Sequence, residues 1–141
     1  MAFEGRRVLV VEDEFLVALT MIDFLEPLGC EVVGPAASLP VALELARSEP
    51  LDAAVLDMNI AGAMIWPVAR ALRRRRVPFV FLSAYCDLEV VSGPFAATPC
   101  LEKPLEQSRL LRHLHAMWDA PPDPSWSRTG AAPAARSAPG K

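Results

Sequence analysis

The chain has 141 residues, a hydrophobic fraction of 52% and a formal net charge of −3, from 14 Lys and Arg against 17 Asp and Glu. That length suits one domain rather than two, with enough apolar residues for a sizeable core. An acidic balance argues against a nucleic-acid surface, which favours a basic domain. No apolar run is long enough to span a bilayer, and no charged start leads into an apolar segment, so neither membrane nor leader is expected. The three cysteines, Cys30, Cys86 and Cys100, lack C-x-x-C spacing. They are expected as reduced thiols of a cytoplasmic protein, without a disulfide framework or zinc site.

Arg7 to Glu12 reads as a first strand, apolar from Val8 to Val11 and therefore buried on both faces. It runs out into three acids, Glu12, Asp13 and Glu14. A helix is expected from Glu14 to Leu28, with acids at its positive pole and Gly29 as its stop. Its apolar arc is wide: Phe15, Ala18, Ile22 and Leu25 form one row, and Val17, Met21, Phe24 and Leu28 another. Glu31 to Ala36 is a second strand, placed at an edge by Pro35. Ser38 is an N-cap, Pro40 sits in the first turn of the next helix, and Pro50 ends it.

Leu51 to Asn59 holds the third strand, an apolar run that ends on Asp57. Residues 60 to 63 read as a loop, and Met64 to Arg75 as a helix with Pro67 in its first turn. The arginines 73 to 76 suit a solvated helix end at the negative pole of the dipole. Val77 to Ser83 is the fourth strand. Ala84 to Pro99 is irregular, broken by Gly93 and Pro94, with a short and poorly fixed helix expected around Leu88, Val90 and Val91. Pro99 to Glu102 is the fifth strand, Lys103 and Pro104 come next, and Leu105 to Trp118 is the last helix. From Asp119 the chain is rich in Pro and Ala and has no Leu, Ile, Val or Phe, so residues 119–141 are expected as a disordered tail.

Five alternations of strand and helix imply an α/β fold, a flavodoxin-like doubly wound five-stranded parallel sheet, (βα)5, of strand order 2-1-3-4-5. Such sheets carry their chemistry beyond the carboxyl ends of the strands. That edge would gather Glu12 and Asp13 from strand 1, Asp57 from strand 3, Ser83 from strand 4 and Lys103 from strand 5. Three carboxylates raise one another's pKa unless a cation sits among them, and oxygen ligands of this kind suit Mg²⁺. An Asp beside Mg²⁺ can act as nucleophile toward a phosphoryl group, whose charge a Lys and a hydroxyl would hold. Neither G-x-G-x-x-G after strand 1 nor G-x-x-x-x-G-K-[ST] occurs anywhere.

The acidic end of strand 1 from Val8 to Glu14, Leu56-Asp57-Met58-Asn59, the Ser83-Ala84 pair and Lys103-Pro104 together resemble the receiver domain of bacterial two-component signalling, over residues 5 to 118. The resemblance implies a phosphoacceptor rather than a conventional enzyme, with only self-catalysed phosphoryl transfer and dephosphorylation. Asp57 would take a phosphoryl group from a histidine kinase or histidine phosphotransfer protein. Asp13 and Asp57 would bind Mg²⁺, Asn59 through its backbone carbonyl and Glu12 through water. Ser83 and Lys103 would hold the phosphoryl group, and Lys103 would join Pro104 by a cis bond. Signalling would run through a downstream protein partner, without a DNA-binding output domain, and a weak homodimer is left open.

Pro78 to Tyr85 further resembles the Phe-Ala-Thr-Gly-Tyr signature of a stand-alone receiver subclass in alphaproteobacteria, with Leu82, Ser83 and Ala84 in place of Ala, Thr and Gly. Receivers usually carry an aromatic residue three positions before the Lys; here it is Cys100. The expected switch residues are therefore Ser83, Tyr85 and Cys100, with loop ordering in place of a swinging ring. Cys86 and Cys100 flank that loop and read either as redox-sensitive or as small hydrophobes. The wide arc of the first helix reads either as a donor dock through Val17, Met21 and Phe24 or as two rows buried under the sheet. His113 and His115 lie far from the acids. The alternative function is a pseudo-receiver that binds proteins without phosphorylation; a small hydrolase or reductase is a third reading.

Overall fold

A computed structural model describes residues 3–86 and 93–119. Its central sheet is built from β1 (Arg7–Val11), β2 (Glu31–Ala36), β3 (Ala53–Asp57), β6 (Phe79–Ser83) and β7 (Cys100–Glu102). All pairings are parallel and the order is β2-β1-β3-β6-β7. Between β3 and β6 lies a small antiparallel hairpin, β4 (Asn59–Ile60) and β5 (Ala63–Met64). The helices are α1 (Phe15–Leu25), α2 (Leu39–Ser48), α3 (Trp66–Arg74) and α4 (Gln107–Asp119). With the hairpin set aside, the order is the expected 2-1-3-4-5, and this is the flavodoxin-like α/β arrangement. Among the described residues no helix is long and apolar enough to cross a membrane.

The alternation of apolar side chains to both sheet faces makes two cores. Leu9, Val11, Ala54, Leu56, Phe79 and Phe81 face α2 and α3. Val8, Val10, Ala53, Val55, Val80 and Leu82 face α1 and α4, where Met21, Leu25, Leu110 and Leu114 close the layer. This double burial is why strands β1, β3 and β6 read as continuous apolar runs.

Local punctuation falls where the residues demand it. α1 ends at Leu25, earlier than expected, because Pro27 tightens the chain into a 3-10 turn over Glu26–Leu28, and Gly29 at φ 94° closes it. Ser38 accepts the N–H of Val41 at 3.4 Å as the N-cap of α2. β2 lies at the sheet edge as Pro35 requires. Beside it Gly34 sits at φ 99°, where a Cβ would stand 2.8 Å from Ala36 N. Gly34–Pro35 and Lys103–Pro104 are cis.

Several expectations need correction. The range 60 to 63 is not a plain loop: Ile60 and Ala63 pair in β4 and β5, and Ala61 and Gly62, both at positive φ, form the two-residue hairpin turn between them. Met64 belongs to β5, so α3 starts at Trp66. Arg73 is not a solvated charge: it is buried, stacked over Phe79 and Phe95 at 5.6 and 5.0 Å, and donates to Thr98 Oγ1. Arg74, Arg75 and Arg76 are exposed as expected. Cys86 and Cys100 are not free thiols but a disulfide. The pairing is spatial: β6 and β7 are parallel neighbours with Ser83 beside Glu102, and the chain leaving β6 places Cys86 within 6.0 Å, Cα to Cα, of Cys100 on β7. Cross-linking a loop of about 15 residues removes denatured-state entropy worth about 3 kcal/mol. Cys30 is buried and free.

Between β6 and β7 the described residues hold a 3-10 turn, Gly93–Phe95. Leu88, Val90 and Val91, where the sequence suggests a helix, lie outside the described residues, as does the tail from residue 120. The turn is pinned by Phe95, which stacks on Trp66 and meets Phe79 and Phe81. Phe95→Ala should therefore cost about 3 kcal/mol or more. Urea denaturation checks this; a loss below about 1 kcal/mol would mean that the aromatic cluster does not hold the segment.

Candidate functional site

β1, β3, β6 and β7 end at one edge, and their last polar residues meet there. Asp57 is the final residue of β3 and is buried. Its Oδ2 accepts from Lys103 Nζ at 2.9 Å, and its Oδ1 from the Asn59 N–H at 3.2 Å. Glu12 follows β1, and one of its oxygens, Oε2, accepts the Glu14 N–H at 3.0 Å and a longer bond from Lys103 at 3.4 Å. Its other oxygen, Oε1, stands 3.2 Å from Lys103 Nζ as an ion pair, yet is buried without an aligned hydrogen bond. Lys103 also lies 3.3 Å from Glu14 Oε1.

Asp13 is exposed and accepts the Ala61 N–H at 2.9 Å, so the β4–β5 turn is fastened to the end of β1. Asn59 supports the same turn by accepting the Gly62 N–H at 2.9 Å. Ser83, last residue of β6, is buried; its Oγ accepts the Tyr85 N–H at 3.0 Å, and its carbonyl accepts the Lys103 N–H at 2.9 Å. That last bond holds the lysine in register beside the acids. Asp13, Glu14, Asp57, Asn59, Ser83, Ala84, Tyr85 and Lys103 line a cavity of about 300 Å³.

The charge state follows from this packing. Burial pushes the Glu12 carboxyl up to about 7; the Glu14 N–H opposes this, the neighbouring Asp57 adds to it, and the charge of Lys103 opposes it. For Lys103 burial alone would lower the pKa. The hydrogen bond and charge of Asp57, with Glu12 behind them, outweigh burial and hold the ammonium above its usual range.

Carboxylate oxygens of Glu12, Asp13 and Asp57 lie within 4.8 Å of one another. With the buried, hydrogen-bond-free Oε1 of Glu12 among them, this is a hard-oxygen donor set that fits a cation of the Mg²⁺ kind. The arrangement offers a carboxylate nucleophile at a cavity wall, a fixed ammonium, a hydroxyl and room for a divalent cation, which is the equipment of phosphoryl transfer.

Every residue singled out in the sequence at this edge is brought together: Glu12, Asp13, Asp57, Asn59, Ser83 and Lys103 converge, and Tyr85 lines the cavity. Cys100 stands apart in the disulfide. Glu14, which the sequence suggests only as a helix start, also lines the cavity and pairs with Lys103; its signal is the run of three acids. Glu102 carries no mark in the sequence, yet it accepts the Cys86 N–H at 3.2 Å.

The fold and this edge define a doubly wound α/β protein with an acid-and-lysine site at its switch point. The chain belongs to the response regulator receiver domain family, whose profile matches residues 8–115. It is 30% identical over 109 residues to the transcriptional regulatory protein PdtaR of Mycobacterium tuberculosis, covering 75% of this chain and 53% of that protein. The chain thus spans about half the length of the curated relatives it matches. Among solved structures it resembles SdrG from Sphingomonas melonis Fr1, at 36% identity and TM-score 0.71, over 83% of this chain and 98% of that one. The receiver domain of Erythrobacter litoralis PhyR matches at 26% identity and TM-score 0.73, over 87% and 99% of the two chains. The receiver domain of the sensor histidine kinase PA1611 from Pseudomonas aeruginosa PAO1 matches at 25% identity and TM-score 0.70, over 80% and 97%, and holds a magnesium ion in its active site cleft.

The Glu12 carboxyl sets a pH dependence whose sign is fixed. The folded protein holds this proton at about 7, against an ordinary value of 4.5. Stability associated with it is fully present below about 4.5 and is lost as pH rises through 7. Glu12→Gln cannot ionise. In metal-free buffer it should stabilise the protein at pH 8 by about 3 kcal/mol and change little near pH 4.5. Thermal melts at both values check this; an equal effect at the two pH values would remove burial of the charge as the cause.

Proposed function

We propose that this chain is a phosphoacceptor response regulator, taking a phosphoryl group onto Asp57 from a histidine kinase or histidine phosphotransfer protein. The observation that carries the reading is the contact of Lys103 Nζ with Asp57 Oδ2 at 2.9 Å, inside a cluster of three carboxylates. Glu12, Asp13, Asp57 and the backbone carbonyl of Asn59 are the groups proposed to hold Mg²⁺. Its chemistry there is to neutralise charge on the transferring group and on the acids.

An Asp57 carboxylate oxygen attacks phosphorus while the bond to the donor's histidine nitrogen breaks, and the leaving imidazole keeps the electron pair and takes up a proton. Asp57 becomes an acyl phosphate. Lys103, relieved of its contact with the carboxylate, pairs with a phosphoryl oxygen, and the Ser83 hydroxyl donates to another. Ala84 adds no bulk at the cavity wall. Hydrolysis of the acyl phosphate by water returns the carboxylate.

The subclass reading, a single-domain receiver of the Phe-Ala-Thr-Gly-Tyr type acting by protein contact in the cytoplasm, is supported by Pro78 to Tyr85 and by the likeness to SdrG over 98% of that chain. The proposed division is a receiver unit at residues 1–118 and a tail at 119–141, with α4 running one residue into the latter range. Intact mass after incubation with acetyl phosphate and Mg²⁺ tests the reading: one phosphoryl group is expected on the wild type and on a chain ending at Trp118, and none on Asp57→Asn. Equal labelling of Asp57→Asn would overturn the site.

The donor's docking face needs revision from the sequence reading. Met21 is 0% exposed and takes no part in a surface contact, and Val17 and Phe24 are half-buried against the core. The exposed apolar residues of α1 are Phe15 at 74%, Leu16 at 73% and Leu19 at 40%, directly after Glu14 of the cavity wall. Leu16→Asp should slow transfer from the kinase about tenfold or more, the scale of an interface anchor, and leave acetyl phosphate labelling unchanged. Unchanged transfer from the kinase would place the dock on another face.

A further inference from the structure

The Cys86–Cys100 disulfide lies one short step from the phosphoacceptor edge. Cys100 begins β7, two residues before Glu102 and three before Lys103. Cys86 follows β6 by three residues, and its N–H bonds Glu102 Oε2 at 3.2 Å. Between Ser83 and Cys86 lies Tyr85, 63% exposed, whose N–H is held by Ser83 Oγ at 3.0 Å. The segment that carries the hydroxyl is therefore fastened at both ends. At one end is the ladder of β6, and at the other a covalent bond to β7, with the two Cα atoms 6.0 Å apart.

We propose that Cys86 and Cys100 form a reversible redox site that controls phosphoryl binding at Asp57, a regulation that rests on the phosphoacceptor reading. Both cysteines are half-buried, so a small thiol can reach them. The third, Cys30, is buried, and burial pushes its thiol up to about 11, so it stays protonated and out of the exchange.

The chemistry is thiol–disulfide exchange with the glutathione couple. In the oxidising direction one cysteine thiolate attacks glutathione disulfide, forming a mixed disulfide and expelling one glutathione thiolate. The second cysteine thiolate then attacks the protein sulfur and expels the other. Two cysteine thiols lose two protons and two electrons to form one S–S bond, and glutathione disulfide becomes two glutathione thiols. The reverse reaction opens the site.

The effect follows from Ser83. To bond a phosphoryl oxygen its hydroxyl must turn toward Asp57, and the Tyr85 N–H it holds must follow or let go. With the disulfide closed, residues 84 to 86 cannot follow, because Cys86 is tied to β7. With the disulfide open, they can. Reduction therefore favours the phosphoryl-bound state. By reciprocity, phosphoryl binding makes the disulfide easier to reduce by the same factor.

The test uses the full chain and beryllofluoride with Mg²⁺ as the phosphoryl probe. Protein equilibrated with glutathione disulfide and protein reduced with dithiothreitol are compared, their thiol content read by alkylation and mass. The reduced form should bind the probe about fivefold or more tightly than the oxidised form and label faster with acetyl phosphate. In a glutathione buffer, bound beryllofluoride should shift the disulfide fraction downward. Cys86→Ser should match the reduced form and lose all response to oxidant. Equal binding by the two forms, tighter binding by the oxidised form, failure of the disulfide to form, or a retained response in Cys86→Ser each overturns the redox site while leaving the phosphoacceptor reading intact. Absence of binding and label in both forms overturns the two together.

Discussion

The carboxyl edge depends on one ion pair, Lys103 with Asp57. Three carboxylates whose oxygens lie within 4.8 Å repel one another, and two of them, Glu12 and Asp57, are buried where water cannot screen them. A single ammonium reaches both, at 3.2 and 2.9 Å, and touches Glu14 as well. Such a pair adds little net stability over an apolar contact, but removal of one partner leaves an uncompensated charge, costing about 3–5 kcal/mol. The fold therefore fixes the position of Lys103 closely. Its N–H is bonded to the Ser83 carbonyl and β7 is registered on β6, so the lysine directly after the shortest strand of the sheet is held beside the acids.

On the proposed phosphoryl transfer, that economy lets the sheet edge serve both the free acid and the phosphorylated one. While the lysine neutralises Asp57 the acid is stabilised and its oxygens are occupied. A phosphoryl group brings its own negative charge and can take over the ammonium without a new cation being found. Glu12, with a buried oxygen that lacks a hydrogen bond, is the residue left undersupplied by one lysine. Burial raises its pKa, and the charge of the shared lysine opposes the rise without cancelling it.

Most of the site was legible in the sequence because it is written at the ends of apolar runs. Val8 to Val11, Ala53 to Leu56 and Phe79 to Leu82 can only be strands buried on two faces, and the polar residue after each run must emerge at one edge. Glu12, Asp57 and Ser83 are placed by that alone, with Asp13 one residue further on. The rest was hidden for specific reasons. Met21 and Leu16 are equally apolar, and only the angle at which α1 meets the sheet decides that one is core and the other surface. The pairing of Cys86 with Cys100 depends on β6 and β7 being neighbours and on the path between them, which cysteine spacing does not encode. The burial of Arg73 depends on Phe95 reaching α3 from the far side of β6. The hairpin after Asp57 rests on an alanine at positive φ, whose N–H is held by Asp13 from beyond the end of β1, and composition gives no sign of either.

The same geometry gives the apolar residues around the cavity a role beyond contact. Phe15 and Leu16 come directly after Glu14, and Tyr85 lines the opposite wall, so a polar cavity is flanked by large exposed apolar side chains. Phosphoryl transfer gains from fixed charges in a dry site and loses to water in an open one. Asp13 and Glu14 at the cavity are exposed, so water reaches it and screens those two acids. A partner that covers Phe15 and Leu16 excludes that water, and every interaction of Lys103 and the carboxylates then strengthens. On the proposed function, docking and chemistry are thus not separate properties of the surface: a donor gripping the exposed stretch of α1 would, by the same contact, remove the solvent that competes with Asp57 for the phosphoryl group.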